Sequence, residues 1–137
     1  MKRLDFPLAL LAFAASALAG CNKNNSSQPS GEGLVGHWKL VNRQCYCVPA
    51  PTPNETVTFT ATNFSFFANG QLRYAGTYAP ATVTVCGISN SAPGLRLSSN
   101  QPSIGSPEVQ YTLTGNQLIL DYGGPCDAPS DTYERVE

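Results

Sequence analysis

The sequence predicts an all-β fold, a small antiparallel up-and-down β-barrel of about eight to ten short strands. Three observations predict it. Apolar and polar residues alternate over short runs, as in Thr56-Val57-Thr58-Phe59-Thr60, and that period of two is the signature of a half-buried strand. Turn-forming pairs such as Asn69-Gly70 and Gly115-Asn116 punctuate the runs. Beyond residue 20 no apolar stretch follows the helical period, and only 12% of residues are charged, which suits strands joined by polar turns. A sheet this extensive loses its exposed edges by closing on itself.

The 137 residues hold one domain once the N-terminus is set aside. Lys2 and Arg3 precede an apolar stretch over 6–18, the length of an export signal and too short to span a bilayer. It ends in Leu18-Ala19-Gly20-Cys21. That order resembles the bacterial lipobox, which implies a lipoprotein signal peptide over 1–20 and a lipidated Cys21 as the first mature residue, with palmitate among its acyl groups. More than one chain anchors stably, since each buried methylene adds about 0.8 kcal/mol. Asn22 follows the cysteine where aspartate would resemble an inner-membrane retention signal, so the resemblance implies the outer membrane. Residues 22–33 contain no large apolar side chain and read as a flexible tether. They lack an acidic cluster of the kind that resembles a surface-export signal, and a periplasm-facing domain is expected. Without residues 1–20 the chain keeps six basic and eight acidic groups, near −2. No basic stripe is present, which excludes an electrostatic nucleic-acid footprint.

The folded domain spans 34–137. Its first strand is expected over 34–41, with Gly36, Trp38 and Leu40 on one face and His37, Lys39 and Val41 on the other. A glycine two residues before a buried tryptophan lets another group pack closely. Pro49, Pro51 and Pro53 stiffen the loop that follows. Val57 and Phe59 point inward, and Phe64 and Phe66 repeat the pattern before the Asn69-Gly70 hairpin. The returning strand over 71–79 carries Leu72, Tyr74 and Tyr78. After Pro80 a separate alternating run leads to Cys86. Leu95 and Leu97 mark another strand, and Val109, Tyr111 and Leu113 line one face of the next. Leu118, Leu120 and Tyr122 alternate with Ile119 and Asp121, and a last strand covers 131–136. These are nine segments, whereas a closed antiparallel meander needs an even number. The miscount is expected near 42–48 or 101–105.

With Cys21 assigned to lipid, Cys45, Cys47, Cys86 and Cys126 remain. Four cysteines in an exported domain read as two disulfides. A bridge between Cys45 and Cys47 would close a very small ring, so each is expected to reach for Cys86 or Cys126; which pairs with which stays open. Cys-Tyr-Cys could alternatively offer two thiolates to a metal or a redox partner. The single histidine, His37, is far from the cysteines in sequence, and neither a metal nor another cofactor is expected.

Gly36-His37-Trp38, the hairpin Tyr-x-Leu-x-Gly-Asn-x-Leu-x-Leu over 111–120, and the terminal Tyr133-Glu134-Arg135 together resemble the lipocalin-like domains of small bacterial lipoproteins. In that superfamily a late arginine packs over the first-strand tryptophan and closes one end of the barrel. The resemblance implies that Arg135 does so over Trp38, a cation-π contact of roughly 1 to 2 kcal/mol when partly desolvated. This domain is shorter than a typical secreted lipocalin and shows no C-terminal helix pattern.

No serine elbow is present, and Asp121, Asp127 and Asp131 lie in a turn-rich stretch where aspartate commonly serves backbone geometry. A non-enzymatic role is therefore expected. Phe59, Phe64, Phe66, Tyr111, Leu113 and Leu120 are candidates to line an apolar cup for a small ligand, although the same residues would fill a solid interior equally well. The alternative is a periplasmic protein-binding module, an inhibitor of lysozyme or protease type or an envelope assembly partner. It would act through its loops, with the 45–53 segment foremost.

Overall fold

In a computed structural model, which describes residues 33–86 and 90–137, eight antiparallel strands close into a single barrel. They are β1 (Gly36–Gln44), β2 (Glu55–Phe59), β3 (Asn63–Ala68), β4 (Gln71–Val83), β5 (Ala92–Ser99), β6 (Glu108–Thr114), β7 (Gln117–Asp121) and β8 (Ser130–Val136). Each pairs with its sequence neighbour, and β8 returns to β1. The signal stretch, Cys21 and the tether through residue 32 lie outside the described residues.

The count is eight because Pro80 does not divide two strands. It sits within β4, opposite Leu95 of β5. The Tyr78 amide donates to the Thr62 carbonyl, toward β3, and two residues on the Pro80 nitrogen faces the same way. By then β3 has ended, its pairing with β4 starting at Asn63 opposite Thr77. The missing N–H therefore removes no ladder bond, the one circumstance in which a strand accepts proline.

The turns follow their residues. Asn69 and Gly70 both take positive φ, 51° and 77°, the I′ geometry that matches strand twist. At Gly115-Asn116 only the glycine does, the II′ pattern. Trp38, Val57, Val109, Leu118, Leu120 and Tyr133 are fully buried at the centre. Phe59 meets Tyr78 edge-on at 5.3 Å between ring centroids, and the Tyr78 hydroxyl donates to the Thr60 carbonyl at 2.6 Å.

One end, here the base, is sealed. The Arg135 guanidinium lies 4.1 Å above the Trp38 ring centroid and donates to the Val35 and Gly33 carbonyls at 2.8 and 2.6 Å. The Trp38 indole N–H donates to the Leu34 carbonyl at 2.9 Å. Residues 33–35 are thus strapped across the base, with Leu34 buried beneath. Gly36 makes this possible: a Cβ there would collide with the guanidinium, and its φ of 148° is one that residues with side chains rarely adopt.

The disulfides require a correction. Cys45 pairs with Cys47, and Cys86 with Cys126. An extended strand would hold residues i and i+2 about 6.6 Å apart. The chain bends after Gln44 and brings the two Cα atoms to 5.2 Å, inside the ordinary range for a bridge. The other pair meets because the end of β4 folds over the outer face of the barrel. Val83 lies on Gly94, where any side chain would collide with Val83 and with the Val109 carbonyl, and Cys86 then reaches Gly123. This second bridge joins residues 40 apart, worth about 4 kcal/mol in the chain-entropy model. A bridge between residues two apart contributes less than half as much by the same reckoning.

Candidate functional site

Opposite the base, at the mouth, β1 ends, β2 begins and the β3–β4 turn closes. A cavity of about 520 Å³ opens here, lined by Arg43, Cys45, Glu55, Phe66, Phe67, Arg73, Tyr74, Tyr122, Pro129, Asp131 and Tyr133. Arg43 organises it. Its Nε and Nη2 donate to the two oxygens of Asp131, both at 2.7 Å, and Nη2 also reaches Glu55 at 2.7 Å. Asp131 is 2% exposed, and this guanidinium is its charged partner. The Tyr133 hydroxyl stands 3.4 Å from the same carboxylate, and among the described residues no buried side-chain nitrogen or oxygen lacks a partner.

Two bulges build this arrangement. Strict alternation from Trp38 and Leu40 would turn Asn42 inward and Arg43 outward. The β1–β8 register instead shifts between Leu40 and Asn42, inserting one residue on β1, and Arg43 comes to face Asp131. A second shift after Phe66 leaves Arg73 as the extra residue on β4, at the rim of the cavity. Asp131 corrects the sequence reading: it carries a buried ion pair, while Asp121 does the backbone work, accepting from the Gly123 and Gly124 amides at 2.8 and 3.0 Å. Alternation back from Arg135 through Tyr133 would have pointed to Asp131. Nothing in the local pattern flagged Arg43.

Of the six apolar candidates, Phe66 lines the cavity, stacked on Tyr74 at 4.8 Å. Phe59, Phe64, Tyr111 and Leu120 lie in the closed core beneath, and Leu113 packs against it. Among the described residues these side chains pack the barrel beneath the mouth, and the cavity above them is polar and aromatic. His37 is exposed on β1, with Nδ1 2.9 Å from the Thr58 hydroxyl. Among the described residues no three His, Cys, Asp or Glu side chains gather to hold a metal.

The electrostatics are those of a half-sealed pocket. The hydrogen bond to Asp131, with Glu55 assisting, raises the Arg43 guanidinium further above its already high value against the cost of burial. Burial, aided by the Glu55 carboxylate, pushes the Tyr74 hydroxyl up to about 12. Tyr122 and Tyr133 are raised as well, first by burial and next by neighbouring tyrosine hydroxyls. Unfolded tyrosines ionise near pH 10 while these stay protonated. Above that pH the unfolded chain binds fewer protons, so stability is full below pH 10 and falls as pH rises, by about 1.4 kcal/mol per pH unit for each such tyrosine. Urea unfolding at pH 8, 10 and 11 reads this slope. Tyr133→Phe should flatten it by one tyrosine's share, and an unchanged slope in that variant would show that the hydroxyl is not held neutral.

Arg43 stands between the two carboxylates of Glu55 and Asp131, the tyrosines supply hydroxyls, and Phe66 and Tyr74 supply a stacked wall. Such a lining can hold a small molecule with a flat apolar body and a few polar atoms. It contains no paired nucleophile and base. Compared with known proteins, the chain matches no family model, no curated protein and no solved structure.

Proposed function

We propose that this protein is a lipid-anchored binding protein of the bacterial cell envelope, a lipocalin-like barrel that takes a small ligand at its mouth and does not transform it there. The observation that carries the reading is the 520 Å³ cavity, within the range of small-molecule sites, set above a packed core. Its lining argues for a compact amphipathic ligand with an aromatic or otherwise flat body. A long acyl chain would need the space that Phe59, Phe64 and Leu120 fill. The anchor rests on the lipobox-like Leu18-Ala19-Gly20-Cys21. The tether joins the domain at the base, through Gly33, so the mouth lies at the end away from the attachment and open to the periplasm.

Native mass spectrometry of the chain purified from its envelope tests the binding. Added mass of a few hundred daltons, lost on denaturation and absent from Tyr74→Ala, is the expected result; bare protein in both, with no thermal stabilisation by envelope extracts, would overturn it. A second reading, protein binding through the 45–53 loop, is favoured by the exposure of Tyr46 and Val48, each 85%. It predicts that Tyr46→Ser abolishes partner capture and leaves small-ligand binding intact.

A further inference from the structure

The Cys45–Cys47 bridge differs from its companion in the length of chain it closes. Cys86–Cys126 ties two segments 40 residues apart, and both of its cysteines are exposed. Cys45–Cys47 joins residues two apart, immediately beyond the last residue of β1, in a stretch with no regular structure. It constrains almost nothing, so little folding free energy opposes its opening. Once opened, its thiols stay one residue apart, and reclosure is nearly as easy. Cys47 is exposed and Cys45 half-buried. Beside them runs a groove of about 440 Å³ lined by Gln44, Cys45, Tyr46, Gly124, Pro125 and Ser130. Tyr46, between the two sulfurs in sequence, is 85% exposed and offers a ring to whatever approaches.

We propose that Cys45–Cys47 is an exchangeable disulfide, a redox site that oxidises or reshuffles the thiols of a cysteine-containing polypeptide laid along this groove. A thiolate of that polypeptide attacks Cys47 Sγ, the more accessible sulfur. The new S–S bond forms as the Cys45–Cys47 bond breaks, and the electron pair stays on Cys45 Sγ as a thiolate at the edge of the cavity. A second thiolate of the polypeptide attacks its own sulfur in the mixed disulfide and expels Cys47 as a thiolate. The polypeptide loses two electrons and gains a disulfide. The Cys45–Cys47 pair gains those electrons, takes up the two released protons, and is reoxidised by a small-molecule disulfide such as oxidised glutathione. The reaction does not depend on a ligand in the barrel mouth.

The chain, purified with both bridges formed, is equilibrated across ratios of reduced to oxidised glutathione, quenched by alkylation, and each bridge is read separately by peptide mass. Cys45–Cys47 is expected to open with an equilibrium constant at least about tenfold larger than that of Cys86–Cys126, or about 30 mV for a two-electron couple. The chain should also speed oxidation of a synthetic two-cysteine peptide by oxidised glutathione at least about tenfold. Cys45→Ser/Cys47→Ser should lose this entirely while keeping the far-ultraviolet spectrum and the Cys86–Cys126 bridge. Cys45→Ser, with Cys47 first oxidised by glutathione disulfide, should accumulate a mixed disulfide of Cys47 with a one-cysteine peptide, since neither Cys45 nor a second peptide thiolate is there to release it. Bridges that open together, or a peptide oxidised no faster than in the absence of the chain, would overturn the proposal.

Discussion

Replacing Arg43 with methionine is expected to destabilise the domain by about 3–5 kcal/mol, because it strands Asp131 as an unpaired charge in a nearly dry site. The geometry decides the size of the effect. Asp131 is 2% exposed, both its oxygens are held by one guanidinium at 2.7 Å, and among the described residues the one other side chain hydrogen-bonded to it is the Tyr133 hydroxyl at 3.4 Å. For a domain of this size the loss corresponds to a fall in Tm on the order of 15–25 °C. The exposed pair between Arg96 and Glu108, 58% and 39% accessible, sets the contrast: Arg96→Met should cost less than about 1 kcal/mol. The triple change Arg43→Met/Glu55→Gln/Asp131→Leu should recover most of the lost stability, since removing all the charges also removes the need to pair them. Thermal unfolding followed by circular dichroism separates the cases. A loss below about 1 kcal/mol for Arg43→Met would mean that water solvates Asp131 and that the mouth is wet enough to dispense with the guanidinium.

The second large effect is expected at Gly36, where a single added methyl group should cost about 4 kcal/mol. Two terms combine. A non-glycine residue at φ 148° pays about 1–3 kcal/mol of backbone strain. The new Cβ also meets the Arg135 guanidinium, which must leave the Trp38 face and its two carbonyl partners, losing a cation-π contact of about 1–2 kcal/mol together with charge-assisted hydrogen bonds. Arg135→Met removes the second term alone and should cost about half as much. Because the group moved lies on the only tryptophan, fluorescence reports the change directly: Gly36→Ala and Arg135→Met should shift Trp38 emission alike. An unshifted spectrum in Gly36→Ala would mean that the arginine is not the neighbour that requires glycine.

How far each feature could be read from the residues depended on whether its cause was local. Phe59, Phe64 and Leu120 declare an inward face through their own alternation, and Asn69-Gly70 declares a turn through its own φ preferences. Trp38 with Arg135 was reachable only through the family resemblance of the first and last strands, since period alone does not say which distant residues meet. Pro80 was misread as a break, since whether proline interrupts a strand depends on which neighbour its nitrogen faces, and β3 ends just before it. Arg43 was invisible for a similar reason. A bulge changes which face every later residue of the strand occupies, and no residue between Leu40 and Asn42 announces one.

The sequence by itself determined the all-β class and the packed face of the regular strands, because period and turn chemistry act over a few residues, while the placing of Arg135 over Trp38 was what the family resemblance implied. Only the tertiary structure decided that the space lies at the mouth, that Arg43 unites Glu55 with Asp131 there, and that Cys45 bonds to Cys47 while Cys86 crosses the outer wall to Cys126. Those outcomes depend on register, on where one strand ends beside another, and on how far a hairpin arm curls. Closure of the barrel sets them all at once, from contacts between residues that lie far apart in the chain.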